Sequence, residues 1–385
     1  MQLGRTSDGT QFPLGNICYP FEDKHMGGSY IAALPLLRSG RTRDVGSIHI
    51  VTHNEGPWTR TLSVHGLKPK TMPPLIMPGR DGGVIVSFPL FIFQSLQIAR
   101  YLYRHRIDIV HANEESVASV WSMACRLSGT KMIWHQHGLP TPSRFIRLMR
   151  RYCDKLVAVS NFIDERLTKE GRKADFITLN PFDNSHDASS LRPFNRVKAK
   201  NRLGIGKSGV AIAFVGSFNE QKRPSVFIST AHYISQRTQQ QTTYFVFGDD
   251  RDINVSELKL LADNYDIDIV FMGYREDLGD WLKAVDILLA PAVNEGFGRT
   301  LVEAMLSGAL VVAAQSGGHS EIITDGENGI LSEPDDPKAM GTAVLRVLEN
   351  PALREAMSKK AFKDASQKYL GKNYLRIFNE IYRAA

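Results

Sequence analysis

Glu295 and Glu303 bracket a glycine-bearing stretch, Asn294–Ala304, that reads N-E-G-F-G-R-T-L-V-E-A. Carboxylates accept hydrogen bonds from hydroxyls. Gly296 and Gly298 lack Cβ atoms, so the backbone there can come close to a ligand. Amides near Gly298 and Arg299, at the positive end of a helix, suit a phosphate. Two carboxylates beside a phosphate-sized pocket point to a polyol joined to a phosphate. Such a loop needs a strand before it and a helix after it. Val285–Leu289, ending in Ala290-Pro291, supplies the apolar strand. Leu301, Val302, Met305 and Leu306 recur at helical spacing, and Gly308 can end that helix. Glu303 falls one turn in, on the strip of Thr300 and Ser307, while Glu295 stays in the loop.

Composition bounds the class. The chain has 385 residues, room for two domains with full cores. Its 43% hydrophobic and 23% charged content is that of ordinary soluble proteins. Cys18, Cys125 and Cys153 are far apart and form neither a metal spacing nor a disulfide framework, which predicts a reducing cytoplasm. The start lacks a basic-then-apolar signal pattern. The most apolar run, Val84–Ala99, contains Ser87, Pro89, Gln94 and Gln97 and is too short and polar to span a bilayer. The net charge of +7 comes from dispersed lysines and arginines with no nucleic-acid motif. An anionic nucleotide donor or an acidic membrane surface fits that charge better than nucleic acid.

Glu295 and Glu303 also stand in the E-x7-E spacing of the retaining GT-B glycosyltransferases of family 4 (glycosyl transferases group 1), which this chain resembles. The match continues through Ser307–Val312, Gly317-Gly318-His319-Ser320-Glu321 and Asp325-Gly326-Glu327-Asn328-Gly329, and covers roughly Gly209–Glu349 strongly. A lone pair of glutamates at this distance arises by chance on solvated helices; the ordered run of further motifs sets this one apart. The resemblance implies a donor site with further parts. Gly27 and Gly28, in His25-Met26-Gly27-Gly28-Ser29, are similar to a first glycine loop that leans on the donor diphosphate. Gly216–Pro224 resembles the second glycine loop, in which Lys222 keeps the place of the basic residue that holds the diphosphate. There Ser217 stands where Arg is common and Arg223 where Gly is common; Arg223 is expected to replace the lost charge. Tyr274 belongs to the turn Gly273-Tyr274-Arg275, which in the family lies beside the nucleotide base. His137, in His135-Gln136-His137-Gly138, matches a His-Gly pair facing the donor sugar at the carboxyl end of a strand. The donor set implied is thus Gly27, Gly28, Ser217, Lys222, Arg223, Tyr274, Glu295, Gly296, Phe297, Gly298 and Glu303, with His137, Lys222 and Glu295 catalytic.

Other segments carry weaker signals. Asn16–Phe21 is the only available first strand. Tyr30–Leu37 reads as a helix that Ser29 could cap. Thr59–Gly83 gives no clear element, and Leu90–Arg104 has helical period. Ser143–Lys155 places Arg144, Arg147, Arg150, Arg151 and Lys155 among Phe145, Ile146, Leu148 and Met149: either a solvated face or an interfacial basic helix resting on anionic lipid. Asp183–Leu203 reads as a linker. Gly204–Gly209 fits G-x-G-x-x-G, yet precedes a strand instead of following one, so it is no nucleotide loop. Asp250 and Asp252 form a D-x-D that is read as a solvated loop. His135 and His137 lack a third nearby ligand, so no metal is expected.

Strand–helix alternation in both halves predicts an α/β protein with two parallel sheets. The resemblance implies GT-B architecture: two Rossmann-like domains facing across a cleft, residues 1–190 on the acceptor side, completed by a C-terminal helix at 371–385, and residues 191–370 on the nucleotide-sugar side. The implied activity is metal-independent retaining transfer of a hexosyl unit from a UDP- or GDP-sugar to a hydroxyl. The acceptor is a glycan or lipid-linked glycan of bacterial surface-polysaccharide assembly. No cofactor is expected beyond the donor substrate. A cytoplasmic chain, peripheral at the membrane through Arg144–Lys155, is the expected location. The alternative is a non-catalytic nucleotide-sugar sensor or scaffold of the same fold. Intact Glu295, Glu303, Lys222 and His137 argue against it. A metal-dependent transferase of the D-x-D type is the other rival.

Overall fold

Short apolar runs in this chain form strands buried on both faces, as parallel sheets covered by helices require. The computed structural model describes residues 14–24, 26–39, 46–78, 84–182, 196–202, 209–370 and 373–385. The chain divides into two units, Met1–Pro181 with Lys372–Ala385, and Phe182–Gly371.

The first unit holds β1 (Asn16–Phe21), β2 (Ser47–Thr52), β3 (Lys70–Thr71), β4 (Ile109–Ala112), β5 (Lys131–Gln136), β6 (Lys155–Ala158) and β7 (Phe176–Ile177). They form one parallel sheet in the order β3-β2-β1-β4-β5-β6-β7. Its helices are α1 (Gly28–Ser39), α2 (Pro57–Val64), α3 (Val84–Arg104), α4 (Glu115–Ser128), α5 (Arg144–Arg150) and α6 (Asn161–Lys169). The last helix, Asn373–Ala384, also belongs here: Phe378, Ile381 and Tyr382 pack with Ile17, Tyr19, Ile109 and Ile133. Tyr382 is tied at its hydroxyl to the Tyr19 hydroxyl (2.6 Å) and to His111 Nδ1 (2.9 Å).

The second unit holds β8 (Val210–Val215), β9 (Thr242–Phe247), β10 (Ile269–Gly273), β11 (Ile287–Ala290), β12 (Leu310–Ala314) and β13 (Ile330–Ser332), parallel in the order β10-β9-β8-β11-β12-β13. Phe227, Ile228 and Ile234 of the helix Pro224–Ser235 and Met340, Val344 and Val347 of the helix Pro337–Glu349 cover one face of it. Both sheets reverse their order beside the first strand, between β1 and β4 and between β8 and β11. Open α/β sheets bind ligands at such switch points, outside the carboxyl ends of the strands.

The structure departs from the sequence expectations in five places. Thr59–Gly83 was expected to be without an element, yet α2 runs to Val64. Its first turn is capped from far away: the Asp23 carboxylate accepts from the amides of Gly56 (2.9 Å), Trp58 (2.8 Å) and Thr59 (2.9 Å). Ser29 lies inside α1 and does not cap it; the Gly27 carbonyl accepts from the Tyr30 amide instead (3.1 Å). α3 starts at Val84 and takes in Pro89. The basic segment 144–155 is not one helix: α5 ends at Arg150, and Lys155 opens β6. Within the expected linker, Arg196–Arg202 is helical because Asp286 draws in both Arg196 (3.3 Å) and Lys200. Met1–Pro13, His25, the remainder of Asp183–Leu203 and most of the Gly204–Gly209 motif lie outside the described residues.

Candidate functional site

In the second unit, glycines end the strands around the switch point. The Gly216 amide donates to the Phe247 carbonyl (3.0 Å) and the Gly248 amide to the Gly273 carbonyl (3.0 Å). Gly248 has φ +152°, and a Cβ there would stand 2.0 Å from the Gly216 oxygen, so no other residue fits. After β11 the chain enters the loop that carries Glu295. That loop is held from both sides. The Val293 amide donates to the Gln221 carbonyl (2.9 Å), and Gln221 Nε2 donates to the Asn294 carbonyl (3.0 Å). From the far side, the Asn294 amide donates to Ser316 Oγ (2.9 Å) and the Gly318 amide to the Glu295 carbonyl (2.8 Å).

The loops after β8 and β11 bring Lys222 and Glu295 together. Lys222 Nζ donates to Glu295 Oε2 at 2.6 Å, with the two side chains 24% and 15% exposed. Burial pushes the Glu295 carboxyl up, but Lys222 and then His319 outweigh it and hold the group below the ordinary carboxylate range. His319 is buried, and its Nδ1–H donates to the Ala314 carbonyl (3.0 Å). Burial lowers the His319 pKa and Lys222 lowers it further, against the opposing pulls of Glu295 and of the hydrogen bond to Ala314. Its edge lies under Gly298, whose Cβ would stand 3.1 Å from His319 Cδ2.

Gly298 has φ +96° and begins the helix Arg299–Leu306. Glu303, one turn in, accepts from Arg299 Nη2 at 3.3 Å, and the Arg299 guanidinium lies over the Phe182 ring at 4.3 Å. Phe297 turns its ring into the cluster of Phe182 and Tyr369, so the group it offers a ligand is backbone. Gly296 shares this loop, and its carbonyl oxygen would lie 2.8 Å from a Cβ at Gly318. Tyr274 is 56% exposed after β10, an open aromatic face. Ser217 donates from Oγ to Asp249 Oδ1 at 3.1 Å.

Arg223 is the residue expected to replace the missing Arg charge. Arg223 sits at φ +57° at the start of its helix, which is why glycine suits the position, and its guanidinium pairs with Asp335. The D-x-D reading as a loop agrees with the local bonding: Asp250 Oδ1 accepts from the Val255 amide (3.2 Å). Among the described residues no group of His, Cys, Asp and Glu is arranged to hold a metal ion.

In the first unit, His137 follows β5, with Nε2 3.2 Å from Asn113 Oδ1. His135 belongs to the core. Its ring packs against His137 (4.0 Å), His111 (5.6 Å) and Phe378 (5.6 Å), and burial, then His137 and His111, push its pKa well down. The loop after His137 is fastened by Glu115. This carboxylate accepts from Arg150 Nη2 (2.9 Å), the Thr141 amide (3.0 Å) and Gln136 Nε2 (3.4 Å). Gln136 Nε2 also donates to the Gly138 carbonyl (3.0 Å), and Arg150 lies over the Trp134 ring at 5.5 Å. Arg150 is 1% exposed, so it cannot meet a lipid surface as the basic-helix reading required. Gly27 lies between β1 and α1, and Gly28 is the first residue of α1. Beside them Glu114 accepts from the Tyr30 hydroxyl (2.6 Å) and the Glu22 amide (2.9 Å). Burial, with Glu22 and Asp23 nearby, raises its pKa to about 7.

The structure therefore joins Lys222 to Glu295, places Gly298 and Glu303 on the next helix, and leaves Ser217 and Arg223 engaged with aspartates. Ser316 and Glu115 had no motif to mark them, while Gln221 lay in the second glycine loop and Arg150 in the basic segment with nothing to show their partners, which are distant in sequence. His319 lay in a matched motif, but nothing in its spacing tied it to Glu295.

Two family descriptions match the chain: Glycosyl transferases group 1 over residues 195–364 and Glycosyltransferase Family 4 over residues 48–181. The UDP-Gal:alpha-D-GlcNAc-diphosphoundecaprenol alpha-1,3-galactosyltransferase of Escherichia coli is 24% identical over 284 residues, 69% of this chain and 72% of that protein. A D-inositol 3-phosphate glycosyltransferase of Corynebacterium kroppenstedtii is 33% identical over 178 residues, 44% of this chain and 40% of that one. A crystal structure of Anabaena Alr3699/HepE in complex with UDP and glucose superposes with a TM-score of 0.79 at 20% identity, over 96% of this chain and 100% of that one.

Proposed function

Because the chain belongs to the GT-B glycosyltransferases of family 4, we propose that it moves a hexosyl unit from a UDP- or GDP-sugar to an acceptor hydroxyl with retention of configuration. One observation carries this reading: Lys222 and Glu295 meet at 2.6 Å on the two loops that flank the switch point of the second sheet. A cation and a carboxylate held there match the two ends of a nucleotide-sugar, diphosphate and sugar. A bound UDP-glucose in the structural relative HepE is consistent with such a donor.

The chemistry then runs as follows. The bond from the sugar C1 to the β-phosphate oxygen breaks, and the charge that develops on that oxygen is met by Lys222 and by backbone amides at the start of the helix Arg299–Leu306. Lys222 must leave or share its contact with Glu295 to do so. Glu295, kept ionised by Lys222 and His319, is then available to the sugar hydroxyls. Glu303 accepts from the ribose diol. His137 is assigned to the sugar by resemblance. No carboxylate is assigned as nucleophile. The acceptor oxygen attacks C1 on the face the phosphate leaves, and its proton passes to the departing phosphate oxygen. This reading needs no metal, since protein groups supply the positive charge.

The acceptor is proposed to be a glycan or lipid-linked glycan of bacterial surface-polysaccharide assembly, as the activity of the Escherichia coli relative suggests. The chain would then work in the cytoplasm at the inner face of the membrane; no helix among the described residues is long and apolar enough to cross it. The test is to supply α-linked UDP- and GDP-sugars with acceptor, follow nucleotide release, and read the anomeric coupling of the product by NMR. An α-product in EDTA supports the reading. A β-product overturns retention, loss of activity in EDTA overturns metal independence, and no turnover with any donor returns the sensor alternative.

A further inference from the structure

The ring of His137 is held at its edge by the side chain of Asn113, whose Oδ1 lies 3.2 Å from Nε2. Asn113 directly follows β4, and β4 pairs with β5 in a register that sets Ala112 beside Trp134. Parallel pairing thus brings the residue that leaves one strand next to the loop that leaves the other. A carbonyl oxygen can only accept, so Nε2 must carry the ring proton, and Nδ1 becomes the acceptor nitrogen. On its face the same ring meets His135 at 4.0 Å. Glu115, the first residue of α4, fastens the backbone of the loop through the Thr141 amide at 3.0 Å. The start of α4 therefore fixes the loop, and Asn113 fixes the ring. Asn113 is a poor choice for stability alone. It is 3% exposed, and its Nδ2 has no hydrogen-bond partner among the described residues. A buried amide nitrogen left unpaired costs more stability than one neutral hydrogen bond returns. An apolar side chain of similar size, such as leucine, would avoid that cost. The half of the amide that is satisfied is the half on His137.

From this we infer that Asn113 is a positioning residue: it pins His137 as the Nε2–H tautomer, so that the ring meets the donor sugar with one fixed polarity, and it does so at the expense of the fold. The inference deepens the proposed function and rests on its assignment of His137 to the sugar. The hydrogen bond at one ring nitrogen sets which nitrogen of a histidine carries the proton. A ring that changed tautomer freely would offer a sugar hydroxyl a donor in one molecule and an acceptor in the next. Asn113 removes that ambiguity without adding charge. Aspartate at the same place would also accept from Nε2–H, but would bring a buried charge with it.

Long-range proton–nitrogen NMR spectra of the full chain, labelled with ¹⁵N at the histidine rings, read the tautomer directly, and His137→Gln assigns the signals. The wild type should show Nε2–H alone at His137. Asn113→Leu should show both tautomers, and Asn113→Asp should restore the single one. With a UDP- or GDP-hexose that the wild type turns over, Asn113→Leu should lose about ten- to a hundredfold in kcat. Its UDP affinity should be unchanged, because the groups assigned to the nucleotide lie in the second unit, and its Tm should equal or exceed that of the wild type. Asn113→Asp should recover most of the lost turnover. A purely structural asparagine would instead lower Tm in the leucine variant and leave the tautomer alone. An Nδ1–H ring in the wild type overturns the inference, since Nδ2 would then be the atom that faces the ring. So does Asn113→Leu with the tautomer unchanged. Turnover with equal kcat in wild type and Asn113→Leu overturns the inference alone and leaves the transferase reading intact. Turnover in wild type that His137→Gln does not reduce removes the assignment of His137 to the sugar, and the inference with it.

Discussion

Gly317 supports the loop of Glu295 from below, and replacing it should cost activity far more than stability. A Cβ at Gly317 would stand 2.4 Å from the Glu295 carbonyl oxygen and 2.7 Å from its amide nitrogen. Ordinary contact needs about 3.5 Å, so the loop must retreat by roughly 1 Å. The residue also has φ +60°, which costs a side chain about 1–2 kcal/mol. Gly326 offers the control: its φ is +75°, and nothing lies within 4 Å of a Cβ there. Gly326→Ala should therefore lose only the backbone term, about 1–2 kcal/mol in denaturant unfolding, with kcat intact. Gly317→Ala should lose a similar amount plus roughly 1–3 kcal/mol for the forced shift. Misplacing a reacting group by about 1 Å costs on the order of 100-fold in rate, so kcat should fall by that order. Steady-state turnover with a saturating donor reads the difference. Equal kcat in the two variants would refute the claim that this glycine positions Glu295.

Other outcomes follow from the same geometry. The pKa of Glu114, raised to about 7, lies above its unfolded value, so the stability this group contributes is full below the usual carboxylate range and is lost as pH rises through about 7. Glu114→Gln should flatten that loss and be the more stable protein at pH 8 by on the order of 3 kcal/mol, measured by thermal unfolding across pH; parallel curves would argue against a protonated Glu114. Arg150→Met should leave Glu115 without its buried cation, cost about 3–5 kcal/mol, and lower kcat without changing UDP affinity, because it loosens only the loop after His137. Adding Glu115→Gln should restore part of the stability; if the double variant is worse by the full sum, the two residues are not coupled.

The central loop was legible because its signals are local. The E-x7-E spacing, the glycines of 296 and 298 and the helical stripe of Leu301, Val302, Met305 and Leu306 all lie within one strand–loop–helix unit. What sequence could not give depends on partners far away in the chain. α2 is capped by Asp23, which lies far ahead of it. The pair of Lys222 with Glu295 joins two loops through the neighbouring strands β8 and β11. Arg150 looked like one more surface cation in a basic run, but the run ends in a turn and Arg150 points at Glu115. Arg223 was expected to replace a charge missing from its glycine loop, and its pairing with Asp335 could not be read from that loop alone. In each case residue type and local pattern were read correctly, while a long-range ion pair or hydrogen bond decided the position.

The account rests on separate roles for two glutamates. Glu303, on the helix beside the Arg299 guanidinium, is assigned to the nucleoside; Glu295, held against Lys222, is assigned to the sugar. Calorimetric titration of wild type, Glu295→Gln and Glu303→Gln with UDP and GDP tests that division directly. Glu303→Gln should lose roughly 1.5–3 kcal/mol of binding to whichever nucleotide the wild type takes. Glu295→Gln should keep that affinity or improve it, since Lys222 is released to the diphosphate, while kcat with the full donor falls. Nucleotide binding lost in Glu295→Gln and kept in Glu303→Gln would contradict the account.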